Sequence, residues 1–90
     1  MPGKKTNQMT PALEDYLETI LFRQREQGFA RVKDIVQDRN VKAGSVSPAM
    51  KRLADMGYIE YAQREYIRLT EKGLTVARRV ASRHTVLHRF

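Results

Sequence analysis

Three breaks in helical periodicity decide most of what this chain can become. Gly28, Asn40 and the pair Met56-Gly57 each close a stretch whose apolar residues recur at helical spacing. In the first stretch Thr10-Pro11 forms the opening, Thr as N-cap and Pro at a first position where its missing N–H is no loss. Leu13, Tyr16, Leu17, Ile20 and Leu21 then lie on one stripe. The second stretch is a short helix over about 33–39, with Ile35 and Val36 inward. Asn40 takes a left-handed conformation readily and starts a tight turn that runs to about Gly44. In the third stretch Val46, Ala49, Met50 and Leu53 face inward, and Ser47, Pro48, Lys51 and Arg52 face outward. A proline deep in a helix costs about 3 kcal/mol. The sequence therefore predicts a late start capped by Gly44 or Ser45, with Pro48 near the third or fourth position, or else a local kink.

After Gly57 the pattern changes. Tyr58 to Tyr61 and Tyr66 to Leu69 are aromatic and β-branched, as strands are. A polar loop of hairpin length, Ala62 to Glu65, joins them. Thr70-Glu71 then opens a last helix that runs to about Arg89, with Leu74, Ala77 and Ala81 on its inner face. The reading is mostly α with one small β-hairpin. Two short helices across a tight turn, followed at once by a hairpin, make a winged helix-turn-helix: a three-helix core, a two-stranded wing and a long C-terminal helix.

The 90 residues suffice for one domain over 9–90, preceded by a disordered arm over 1–8. Without cysteine the chain has no disulfide and no thiolate metal site, which agrees with a cytoplasmic location. Nothing approaches a membrane span or a signal peptide. Seventeen basic residues stand against ten acidic, and the excess is uneven: residues 1–44 hold 8 basic and 6 acidic, residues 45–90 hold 9 and 4. Polyanions are the partner class that such a balance favours.

On a DNA reading, the third helix enters the major groove. Lys42, Ser45, Ser47, Pro48, Lys51 and Arg52 then face the duplex, and Arg64 at the hairpin tip reaches backbone or minor groove. Serine hydroxyls can pair with bases or phosphates, Pro48 can meet a thymine methyl, and the lysines suit phosphates. Elsewhere, Asp15 and Glu18 are spaced i, i+3 opposite the apolar stripe of the first helix. One turn apart, they can share a cation or simply form a solvated face. His84 and His88 are spaced i, i+4, a chelating interval. They fall on the same side as Leu74, Ala77 and Ala81 and so face protein, either as ligands or as hydrogen-bonded core histidines. No phosphate loop, nucleophile motif or cysteine supports an enzyme.

The run MTPALEDYLETI over 9–20 resembles the first helix of the diphtheria-toxin-repressor family, in particular its manganese-transport-regulator branch. So do ARVKDI over 30–35 at the entry to helix two, VKAGSVSPAMKRLADMG over 41–57, YIRLTEKG over 66–73 and Arg83-His84. The resemblance covers about 9–90. It implies a dimeric repressor that binds a divalent transition metal and then an inverted-repeat operator in double-stranded DNA. It also implies metal ligation by Asp15, Glu18 and His84, with His88 a further possibility at a position where the family tends to have Glu. The iron branch usually has Met where this chain has Asp15, and a hard carboxylate there suits manganese better than a soft thioether would. The family's remaining ligands and dimer interface lie on later helices, so the expectation for this chain is the DNA-reading domain without most of the switch. The rival reading is a winged-helix protein-interaction module without metal control. An exposed apolar patch on the third helix would favour that module, and a polar, basic one favours DNA.

Overall fold

The computed structural model of the chain describes residues 8–63 and 65–88. The arm expected over 1–8 lies outside this range except for Gln8, and Arg64, Arg89 and the His88 side chain also lie outside it. Helix α1 spans Pro11–Gln27. Thr10 is extended and its hydroxyl accepts the Leu13 N–H at 3.2 Å, while Gly28 closes the helix at φ 91°. The predicted stripe is the heart of the core: Leu17 and Ile20 are wholly buried and Leu13, Tyr16 and Leu21 nearly so.

Helix α2 spans Val32–Arg39. Asp34 holds its start, accepting the Arg31 N–H at 3.1 Å and the Gln27 amide at 2.9 Å. Asn40 ends it at φ 55°, in the left-handed region expected of it. Helix α3 spans Ala43–Asp55, with Val46, Met50 and Leu53 buried and Ala49 half-buried. It begins earlier than the proline argument predicts. Lys42 is the N-cap and caps with no side-chain hydrogen bond, so Pro48 sits in the second turn of the helix. Proline there deletes the ladder bond to the Gly44 carbonyl. Gly44 is solvent-exposed, and water can take that carbonyl, which lowers the cost that would have forced a later start.

Strand β1 (Ile59–Ala62) and strand β2 (Tyr66–Leu69) pair antiparallel, from Ile59 opposite Leu69 to Ala62 opposite Tyr66. The loop is three residues long and begins with Gln63 at φ 55°. The link after α1 is more than a connector. Ala30 exchanges both backbone hydrogen bonds with Ile67, at 2.9 and 2.8 Å, and so adds a one-residue third strand. Gln24 of α1 accepts the Leu69 N–H at 2.8 Å, which fixes the wing to the core.

Helix α4 spans Glu71–His88. The Thr70 hydroxyl accepts the Gly73 N–H at 3.1 Å and donates to the Gly57 carbonyl at 2.7 Å, tying the start of α4 to the end of α3. The inner face of α4 differs from the expected one. Ala77 is buried as predicted, but Val76, Val80 and Gly73 complete the buried line, while Leu74 and Ala81 are only half-buried. The buried line runs through Gly73, where the Tyr58 carbonyl leaves no room for a Cβ. Helix α4 lies chiefly along α1, and this pairing builds the site described next.

Candidate metal cluster and nucleic-acid interface

Helical periodicity places Glu18 opposite the apolar stripe of α1 and therefore in solvent. In the structure it is 5% exposed. The reason is tertiary: α1 is covered on one side by the core and on another by α4, so the polar face of an isolated helix becomes an interhelical seam. Burying a carboxylate without compensation is costly. Among the described residues, the partner within reach of Glu18 is His84 of α4, whose Nδ1 lies 2.8 Å from Oε2. His84 itself is about half exposed, so the expectation that it faces protein holds for its Nδ1 edge only. Asp15, one turn back on α1, completes a group with ligand-capable atoms of all three residues within 4.8 Å of one another. A shallow cleft of about 320 Å³ between Pro11, Glu14, Val80 and Arg83 opens beside Asp15 and His84.

Two carboxylates and an imidazole form a donor set suited to a divalent transition metal. A buried carboxylate with a single imidazole partner is the local sign that a cation fits: a positive centre there would offset the desolvation of Glu18. Charged neighbours rim the group. Arg39 of α2 reaches Asp15 at 3.2 Å, and Arg83 reaches Glu14 at 3.4 Å. Neither Arg39 nor Arg83 stood out in the sequence as a partner of these carboxylates, since each pairs with a residue far along the chain.

The outer surface of α3 is a separate region. Lys42, Ser45, Pro48, Lys51 and Arg52 are exposed and Ser47 is half-buried. The first turn holds no acidic residue and no capping side chain, so its N–H groups point outward unneutralised. The large apolar side chain that stands exposed among the described residues is Phe22, on α1 rather than α3. Between α2 and the wing, sequence reasoning missed Arg31. Its guanidinium lies 5.4 Å from the Phe29 ring centre and 5.3 Å from that of Tyr66, and it pairs with Glu65 of the wing loop at 3.6 Å.

Helices α2 and α3 across a left-handed turn, backed by α1 and followed by the β1–β2 hairpin, define a winged helix-turn-helix domain with an interhelical carboxylate–imidazole cluster. The chain belongs to the iron-dependent repressor family: the family described as "Iron dependent repressor, N-terminal DNA binding domain" matches residues 8–67. It is 37% identical over 81 residues to the HTH-type transcriptional regulator MntR of Shouchella clausii and 36% identical over 81 residues to that of Bacillus subtilis. Each match covers 90% of this chain and 57% of the relative, so the chain spans little more than half the length of these proteins. Among solved structures, T. acidophilum IdeR superposes with a TM-score of 0.69 at 33% identity, covering 78% of this chain and 32% of that one. A point mutant of Lactococcus lactis ZitR gives 0.64 at 25%, covering 87% and 57%. No helix among the described residues is long and apolar enough to cross a membrane.

Proposed function

We propose that this chain is the sequence-specific DNA-reading domain of a cytoplasmic, metal-responsive transcriptional repressor, with manganese ahead of iron as the metal. The observation that carries the reading is the outer surface of α3 and its cap: an exposed and a half-buried serine, two lysines, an arginine and an acid-free helix N-terminus, on a domain of this family. Lys42 and Lys51 hold phosphates, as does the open first turn. Ser45, Ser47 and Pro48 face base edges, and Arg52 extends the basic strip. Arg64, which the sequence puts in the loop between β1 and β2, is the wing's candidate for backbone or minor-groove contact, and Arg31 pairs with the neighbouring Glu65. A protein-docking face on α3 would need large exposed apolar side chains, and the described residues offer none there.

Asp15 and Glu18 from α1 and His84 from α4 hold the metal, and His88 is a further candidate from the same helix. When bound, a divalent cation supplies a positive centre shared by α1 and α4. The hard carboxylate of Asp15 suits manganese better than a soft thioether would. His84, already aimed at Glu18 by its Nδ1, keeps the two helices in register at the seam. In a homodimer on an inverted repeat, two α3 helices must meet successive major grooves about 34–36 Å apart. Rigidity at the α1–α4 seam favours any such fixed spacing.

Selection of duplexes from a randomised pool tests the reading directly. The chain is expected to enrich one short half-site. Recovery of unenriched sequence would contradict a base-reading role for Ser45, Ser47 and Pro48.

A further inference from the structure

We propose that Arg39 is a built-in competitor for the cation site: its guanidinium engages the Asp15 carboxylate and lowers the affinity of the Asp15–Glu18–His84 group for a divalent cation, which links occupancy of that group to the turn of the helix-turn-helix. The inference rests on the reading that this group binds a cation, and adds a residue that sets its threshold.

Arg39 is the last residue of α2, and Asn40 in the left-handed region follows it directly. The guanidinium reaches Oδ2 of Asp15 at 3.2 Å, across a crevice of about 130 Å³ walled by Ala12, Tyr16 and Val41. Glu18 is buried and engaged by His84, whereas the Asp15 side chain is 37% exposed and is the ligand whose partner can change. A cation at the group must share that carboxylate with a guanidinium, or displace it. Sharing brings like charges within a few ångströms, displacement breaks the ion pair, and each counts against binding. The pair is over a third exposed on both sides, so solvent weakens the effect to a few-fold change in affinity. Coupling is reciprocal. A cation that weakens the hold of Arg39 on α1 frees the residue next to the turn into α3. An Arg39 that merely oriented Asp15 as a ligand would have the opposite sign.

The test is a titration of the chain with manganese, following the free ion by its electron paramagnetic resonance signal. Wild type is compared with Arg39→Met, Arg39→Lys, Asp15→Asn and the Asp15→Asn/Arg39→Met double variant, and thermal unfolding in chelator checks that each folds. Arg39→Met should bind manganese about 3- to 10-fold more tightly, Arg39→Lys should stay near wild type, and the gain should vanish in the double variant. Unchanged or weaker binding by Arg39→Met, with Asp15→Asn impaired, overturns the role of Arg39 alone. Wild-type binding by Asp15→Asn overturns the cation reading of the group, and the competitor role with it. A gain that survives in the double variant also overturns it, since the effect would then not act through Asp15.

Discussion

Arg23 on α1 and Asp38 on α2 form a two-pronged pair, with Nε donating to Oδ2 at 2.8 Å and a terminal nitrogen donating to Oδ1 at 2.7 Å. The hydrogen bonds from Arg23 hold the Asp38 carboxyl below its ordinary range, against the opposing effect of partial burial. A carboxyl depressed in the folded state adds stability above its unfolded value, about 3.9, and that stability is lost as pH falls through the folded value. Asp38→Asn should therefore lower the urea midpoint near neutral pH, and the gap to wild type should close as the solution is acidified below the ordinary carboxyl range. A gap that persists in acid would mean that the pair acts through shape rather than charge. Neither partner could be chosen from the sequence, because they lie fifteen positions apart on different helices. Glu18 shows the same blindness: periodicity describes one helix in water, and only the arrival of α4 turns its polar face into a seam. Asp15, Glu18 and His84 became visible as a set through family resemblance, since spacing alone could not join residue 18 to residue 84.

Local chemistry made the helix ends legible. Thr10, Gly28 and Asn40 cap as expected, because capping depends on the residue and its immediate neighbours. Thr70 caps α4 as well, with a second role that no local rule gives: its hydroxyl donates to Gly57. Thr70→Ala should cost about 1–2 kcal/mol, at the upper end for a cap, in chemical denaturation. The early start of α3 was not legible in the sequence, because the cost of Pro48 depends on the exposure of the Gly44 carbonyl it leaves unpaired. Gly73 carries a stronger constraint than any cap. A Cβ there would run into the Tyr58 backbone carbonyl, with the Leu69 side chain behind it. Backbone gives way less readily than a side-chain tip, so Gly73→Ala should destabilise the domain by about 1–3 kcal/mol despite alanine's better helix propensity. Stability at or above wild type would show that α4 can slide away from β1.

At the scale of the whole molecule, the winged helix-turn-helix architecture was readable because its elements follow one another without long-range crossings. What stayed hidden is how they lock: the Ala30–Ile67 bridge, the Gln24 contact with β2, and the stack of Arg31 on Phe29 and Tyr66 all join segments remote in sequence. These ties fasten the wing to α1 and to the link between α1 and α2. The charge excess in the second half of the chain falls mainly on α4, with a single net positive charge on α3 and a balanced wing, and DNA binding should be governed by phosphate contacts. The most direct test is fluorescence anisotropy of a labelled duplex titrated with wild type and with Lys51→Glu, at about 50 and 200 mM salt, in manganese and in chelator. The account predicts that wild type binds at low salt and weakens about 40- to 150-fold at the higher salt, as three or four phosphate contacts require, while Lys51→Glu loses measurable binding. Equal binding by wild type and Lys51→Glu, or none by wild type at low salt, would contradict α3 as the DNA-reading element.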